Sequence, residues 1–406
     1  MINLELPESI LETDRITKDL AVNLFRPIAR KYDKAEHETP EELEVLRNLR
    51  RGGGGKKSGD DAFKTVNKKE KETDAIRNAG QMRLIASTIN LSWGCLGLLQ
   101  SMPGVGLGNA AIASVATKEQ KERFGDVYAA MAITEPNTGS DSSSIQTTAT
   151  LEGEEWVLNG TKIFCTAGSR CTHVVVWATV DKSKGKAAIK SFVVPKDAAG
   201  MHLIGCENKL GMRASDTATF VFDNCRIPKD NILGSPEVAN TEEGRKKAFG
   251  GVMKTFDNTR PMVAAMSVGI AKASLDLTLE LLEKEGVKPS YDKSLYNSSS
   301  LEAEIYKMEA ELEACRLLAY KAAWMADNGQ PNSLEASAAK AKAGRVGTDI
   351  CLRCVEICGS LGYSEEYLLE KFARDQKIND IYEGTQQIQQ LIVARRILGL
   401  SSKQLK

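Results

Sequence analysis

Three clusters in this chain combine residue types and spacing that could do chemistry. In Asp380-Ile381-Tyr382-Glu383-Gly384-Thr385-Gln386-Gln387-Ile388-Gln389 a carboxylate stands beside a glycine just ahead of a helical pattern. In Met131-Ala132-Ile133-Thr134-Glu135-Pro136-Asn137-Thr138-Gly139-Ser140-Asp141 a polar turn follows a short apolar run. Each has two local readings: part of a functional site, or merely a polar turn and a loop placing Glu383 near the positive end of a helix. The third cluster is Cys351, Cys354 and Cys358, which contains a CxxC. Its spacing puts all three on one helical face, where cysteine packs as a small apolar residue. Zinc or an iron-sulfur cluster would need a fourth ligand that the neighbourhood does not offer, so core packing is the expectation and no metal is assigned.

A fourth run, Arg50-Arg51-Gly52-Gly53-Gly54-Gly55-Lys56-Lys57-Ser58, invites a phosphate-loop reading. The required spacing fails, because Arg50 stands where the first glycine belongs and no strand precedes it. It reads as a basic loop running on to Lys71.

The remaining composition narrows the class. Lys+Arg and Asp+Glu both number 54 in 406 residues, so no global field draws the chain to nucleic acid or to an anionic membrane. Any anionic ligand must be held by local groups. Met1 to Leu20 alternates acidic and apolar residues, unlike a secretory signal. The apolar stretch from Leu84 to Ala116 is broken by Asn90, Gln100, Pro103 and several glycines, which argues against a membrane span. Nine cysteines scattered through such a chain read as free thiols, and a cytoplasmic protein is expected.

The elements that must position these residues follow from periodicity. Residues 1–126 read as a helical domain, 127–240 as a β domain and 241–406 as a helical bundle, an α+β architecture. In the β domain, Trp156-Val157-Leu158-Asn159-Gly160-Thr161-Lys162-Ile163-Phe164 predicts a hairpin turning at Asn-Gly. Val174–Ala178, Ser191–Val194 and Ala218–Phe222 add strands. Ser299 with Glu302 predicts a capping box, and Asn332 with Glu335 repeats it before a helix that Gly359 closes. A last helix is expected from near Thr385 to Leu398, giving four antiparallel helices in a four-helix bundle.

Together the two stretches around Glu135 and Glu383 resemble the acyl-CoA dehydrogenase family, in order and spacing as well as identity. Lys209-Leu210-Gly211-Met212-Arg213, Phe256-Asp257-Asn258-Thr259-Arg260-Pro261 and Ala373-Arg374-Asp375 extend the resemblance over roughly residues 120 to 400. The N-terminal third matches weakly. The resemblance implies an FAD-dependent oxidoreductase that converts an acyl-CoA to the trans-2-enoyl-CoA. Glu383 would abstract the α proton and flavin N5 would accept the β hydride. Burial beside an apolar acyl chain would suit the base by raising its pKa. The Glu383 backbone amide, with a ribityl hydroxyl of FAD, would hold the thioester oxygen.

Carried over residue by residue, Met131, Ile133 and Thr134 would meet the flavin, with Ile133 and Thr134 at its pyrimidine edge. Gly139 and Ser140 would lie near the flavin or CoA phosphates. Phe164 stands where many relatives have a tryptophan over the flavin, with Thr166 following as a hydrogen-bonding residue. Thr385 and Gln387 would reach the adenosine part. Phe256, Asp257 and Arg260 would contact CoA or fix the loop that does, although Arg-Pro by itself suggests a helix start. Tyr382 would line the acyl pocket and Gly384 would leave space beside the base. Some relatives carry the base at the position of Thr259, which cannot do that work.

Two segments depart from the family. An Arg-x-x-Phe-Gly motif is missing from Glu283-Lys284-Glu285-Gly286-Val287-Lys288-Pro289-Ser290-Tyr291, and Glu356-Ile357-Cys358-Gly359-Ser360 replaces a glutamine followed by two glycines. In the family both reach across a dimer interface to the neighbour's FAD, and Glu356 would repel a pyrophosphate. The expected assembly is therefore an oligomer, of the tetramer-of-dimers type, in which this chain pairs with a homologous subunit; a homodimer with altered adenine contacts is the other reading. The implied electron acceptor is an electron-transfer flavoprotein. An acyl-CoA oxidase, a non-catalytic subunit and a nucleic-acid-binding flavoprotein of the same fold are the alternatives.

Overall fold

The computed structural model describes residues 6–44, 79–102, 106–238, 242–401 and 404, without the side chains of 242–256 and 295. The basic run from Arg50 to Lys71 and the expected boundary at 240/241 lie outside the described residues. The N-terminal part contains helices α1 (Glu8–Leu20), α2 (Arg26–Lys34), α3 (Gly80–Gln100), α4 (Leu107–Val115) and α5 (Lys118–Phe124). A π turn, Ala21–Phe25, links the first two. Helix α3 is kinked at Cys95, whose φ of −168° and ψ of 119° are extended. Arg26 stacks on the Trp93 ring at 3.8 Å and donates to the Trp93 carbonyl, serving a group next to that break.

Seven strands follow: β1 (Ala129–Ala132), β2 (Thr148–Glu152), β3 (Glu155–Thr166), β4 (His173–Thr179), β5 (Ile189–Pro195), β6 (Met201–Cys206) and β7 (Thr217–Pro228). They form one sheet in the order β1-β4-β2-β3-β7-β6, with β5 also paired to β4. Strands β1 and β2 run parallel to β4; the other pairs are antiparallel. Alternation sends Leu158, Val174, Val176, Phe192, Phe220 and Phe222 into one core, where Trp156 meets Phe192 edge to face at 5.2 Å.

The Asn-Gly expectation needs correcting. Strand β3 runs straight through Asn159-Gly160, and the β2–β3 turn lies at Gly153-Glu154 instead. Asn159 faces a bulge in β7, where Asp223 and Asn224 stand opposite it and Asn224 takes a positive φ of 48°, and its Oδ1 accepts from the Asn224 backbone at 2.8 Å. Gly160 is required because a Cβ there would sit 2.4 Å from Thr147 Oγ1.

The C-terminal part comprises α6 (Glu242–Lys284), α7 (Ser300–Asp327), α8 (Ser333–Ile357), α9 (Gly359–Tyr363), α10 (Leu369–Gln376) and α11 (Gln386–Leu398). The Ser299–Glu302 capping box forms as expected. The second box does not. Asn332 occupies the N-cap of α8, but its amide donates to the Ala322 carbonyl at 3.0 Å and the Asp257 carbonyl at 3.4 Å. The reason lies in α6, which continues through Arg260-Pro261 rather than starting there. Pro261 has no N–H for the carbonyl four residues back, and Asn332 supplies the missing donor to Asp257.

Helices α3 and α6–α8 share the apolar core, with Ile85, Ala264, Val268, Ala319 and Ala343 in one layer. Cys351 and Cys354 pack with Ile270, Leu275 and Phe372 in the next. Two segments, Gly80–Gln100 and Asp257–Lys284, are long and apolar enough to cross a bilayer, yet 67% of each apolar window is buried inside the protein. Sheet and bundle are tied where the Met212 amide donates to Asp375 on α10 at 2.6 Å. Asp375 also pairs with buried Lys371, and neighbouring Arg374 reaches Asp33 on α2 at 2.7 Å. The stretches Lys209–Arg213 and Ala373–Asp375 are thus joined as a structural seam.

Candidate active site

Glu383 stands on the short connection between α10 and α11, after the 3-10 turn Lys377–Asp380. Helix α11 begins at Thr385, whose hydroxyl accepts from the Ile388 amide at 3.4 Å. That makes Thr385 the N-cap of α11. Between turn and cap, Glu383 and Gly384 take consecutive positive φ values of 58° and 90°. For glutamate this is strained backbone, of a kind that clusters at functional sites.

The strained segment is held from three helices. From α6, the buried Thr259 hydroxyl donates to Glu383 Oε2 at 2.7 Å. From α8, Lys340 Nζ donates to the Gly384 carbonyl at 2.6 Å. From α11 itself, the Gln389 amide donates to the carbonyls of Glu383 at 3.1 Å and Gly384 at 3.2 Å. Gly384 therefore does not leave empty space beside the base: a Cβ there would lie 2.4 Å from Gln389 Nε2. Burial pushes the Glu383 carboxyl above the ordinary carboxylate value, against the Thr259 hydrogen bond and the charges of Arg260 and Lys340.

Around this centre, Arg260 is 3% exposed and pairs with Asp257 at 2.6 Å on the same helix. Both belong to α6 rather than to a loop. Phe256 lies in the same helix, its side chain outside the described set. The Tyr382 hydroxyl is engaged with Asn379 Oδ1 and Met266 Sδ, each at 3.0 Å. Arg260 Nε, Asp380 Oδ1 and Gln389 Oε1 are buried without a hydrogen-bond partner. Such atoms call for an explanation, and a bound ligand is one.

Most of the other candidate residues lie on the sheet or at its edge. The Ile163 amide donates to the Thr134 carbonyl at 2.9 Å, which brings β3 against the end of β1. Next along β3, Phe164 is 55% exposed with φ of 55°. Thr166 ends β3 opposite Thr217. Met131 and Ile133 pack beside Trp177 and Ile145. Gly139 and Ser140 are exposed just past a tight turn closed by reciprocal Glu135–Thr138 backbone bonds at 3.1 Å. Gln387 is exposed on the first turn of α11.

Two residues that organise this edge were not singled out from the sequence. Lys162 is fully buried and bonds Glu135 Oε1 at 2.7 Å and the Ile133 carbonyl at 3.0 Å. Glu135 also accepts from the Thr147 hydroxyl at 2.6 Å and from the Gln146 and Thr147 amides at 2.6 and 2.9 Å. Burial alone would raise the Glu135 carboxyl, but these donors outweigh it and hold it down to about 2. The only signal was a lysine interrupting an otherwise alternating strand, which periodicity alone treats as an outward residue. Lys340 was missed for the same reason.

An exposed aromatic ring beside backbone polar groups suits a flat heteroaromatic ring with a hydrogen-bonding edge, and a half-buried carboxylate with its own donor suits a general base. Each is a feature that a flavin-dependent dehydrogenase would use. Family models agree: residues 130–225 match the acyl-CoA dehydrogenase middle domain and residues 249–398 its C-terminal domain. The mitochondrial short-chain specific acyl-CoA dehydrogenase of Bos taurus is 33% identical over 402 residues, covering 98% of this chain and 92% of its own. Butyryl-CoA dehydrogenase from Megasphaera elsdenii superposes with a TM-score of 0.82 at 29% identity, covering 98% of this chain and all of that one. A chain in a structure reported as the electron transferring flavoprotein of Acidaminococcus fermentans gives 0.79 at 28%, covering 98% and 100%. The chain belongs to the acyl-CoA dehydrogenase family, and it is an oxidoreductase with FAD as its cofactor.

Proposed function

We propose that the protein dehydrogenates a short-chain acyl-CoA to the trans-2-enoyl-CoA, with Glu383 removing the α proton. The observation that carries this is the half-buried Glu383 carboxyl, pushed up by desolvation and hydrogen-bonded by Thr259 at 2.7 Å. A carboxylate with raised pKa is better matched to a weakly acidic α proton, and the Glu383 amide offers a donor for the thioester oxygen. Met131, Ile133, Thr134, Phe164 and Thr166 would hold the flavin ring, Gly139 and Ser140 its phosphates or those of CoA, and Thr385 and Gln387 the adenosine. Bound there, FAD supplies the hydride acceptor. Asp257 and Arg260 would meet CoA, with Tyr382 along the acyl chain.

The short-chain reading rests on the names of the relatives. A panel of straight-chain acyl-CoA thioesters with flavin-loaded protein tests it: the highest kcat/KM is expected near four carbons, and a maximum at twelve or more would reject it. The acceptor is an electron-transfer flavoprotein; rapid peroxide formation in air would make the protein an oxidase instead.

A second reading concerns assembly. Glu356 is exposed and shares Arg353 with Glu304, both at 2.5 Å, so an anionic group stands where the family carries a neutral amide. This favours a heteromer, in a cytoplasmic oligomer, whose partner lends the missing flavin contacts. Flavin absorbance per chain decides: stoichiometric FAD in the lone chain excludes it.

A further inference from the structure

Helix α8 carries a lysine, Lys340, that is 1% exposed, and the mechanism above gives it no task. A buried ammonium is costly unless paired, and a lysine kept for packing alone would serve worse than methionine. Its hydrogen bond, 2.6 Å long, goes to the carbonyl of Gly384. That carbonyl also accepts from Gln389, which in addition holds the carbonyl of Glu383. Both residues so held have positive φ. The donors from α8 and α11 therefore grip the segment of chain from which the base projects.

We infer that Lys340, seconded by Gln389, is a positioning residue that clamps the Glu383-Gly384 backbone and sets the charge field in which Glu383 ionises. The inference rests on Glu383 being the base. The clamp and the field are separable. Gln389 is neutral and can only hold the backbone, whereas Lys340 does both. The charged groups facing Lys340 are Glu383, Asp380 and Arg260. Arg260 is in turn paired with Asp257, and Asp380 with Lys377 at 2.9 Å and Arg345 at 3.9 Å. Removing the Lys340 charge leaves Glu383 with Arg260 as its remaining cationic neighbour, so its carboxyl must titrate at higher pH.

The test uses the flavin-loaded protein and the variants Lys340→Met, Lys340→Arg, Gln389→Met and Glu383→Gln. Lys340→Met should lower kcat by about tenfold to a hundredfold, the range a small misplacement costs. It should also move the acidic limb of the kcat/KM profile up by about half a pH unit or more. Lys340→Arg should restore the position of the limb. Difference infrared spectra give a readout independent of turnover: the protonated-carboxyl band that Glu383→Gln abolishes should persist to higher pH in Lys340→Met. A folded, flavin-bound Lys340→Met protein with kcat within twofold of wild type and an unmoved limb and band overturns the inference. If Lys340→Met does not fold, Gln389→Met decides: a fall in kcat with an unmoved limb supports the clamp, and unchanged kcat overturns it. Full turnover in Glu383→Gln would instead sink the base assignment itself.

Discussion

Thr259 donates its hydroxyl to Glu383 Oε2 at 2.7 Å, joining residues 124 positions apart in the sequence. The bond stabilises the ionised carboxylate and opposes the upward push of burial. Thr259→Val removes the donor and leaves a similar volume. Its acidic limb in kcat/KM should move to higher pH, with kcat down by roughly tenfold, about what one hydrogen bond to a charged group supplies. Thr259→Ser should stay near wild type. A Thr259→Val profile that overlays the wild-type profile would show that the bond is idle.

The three-part architecture was legible in the sequence because periodicity carries it. What Glu383 touches was not, because its partners come from α6 and α8, and single-residue patterns do not encode such crossings. Asn-Gly misled for a physical reason. Gly160 stays in the strand because Thr147 comes too close for any side chain there, and the Asn159 amide holds the bulge that β7 makes at Asn224 opposite it. Asn332 misled likewise, because its capping geometry was claimed by the carbonyl that Pro261 leaves without a donor. Lys162 and Lys340 are charged residues inside a strand and a helix, and nothing in their spacing marks them as buried.

Glu135 and Lys162 form a buried ion pair beneath the Ile133–Ser140 edge. Glu135→Gln strands the ammonium and should cost about 3–5 kcal/mol, the usual penalty for breaking such a pair. Denaturant unfolding measures that loss, and flavin affinity should fall with it. Because the Glu135 value is depressed to about 2, its contribution is present above the ordinary carboxylate value and is lost as pH falls through about 2. Stability lost on mild acidification near pH 6 would therefore not trace to this pair.

Gly384→Ala puts a Cβ on a residue with φ of 90° and 2.4 Å from Gln389 Nε2. Backbone strain alone costs of order 1–3 kcal/mol. The variant should unfold at lower temperature and lose kcat at least tenfold, since the carboxylate must shift with its backbone. Wild-type kcat in a folded Gly384→Ala protein would show that the segment tolerates movement.

Glu383→Gln should raise the melting temperature at neutral pH. The folded-state value of Glu383 lies above its unfolded value, so its favourable contribution is complete only below the unfolded value and is lost as pH rises through the folded one. A neutral amide escapes that loss, and the difference between the two proteins should shrink on acidification toward pH 4. A lower melting temperature for Glu383→Gln at neutral pH would contradict the raised carboxyl.

The most direct test follows the flavin absorbance of Glu383→Gln and wild-type proteins, each loaded with FAD to the same level, after rapid mixing with butyryl-CoA under anaerobic conditions. The account predicts prompt bleaching in the wild type and a rate at least a thousandfold slower in Glu383→Gln, on the scale of losing an essential base. Bleaching of the Glu383→Gln flavin at the wild-type rate would contradict it.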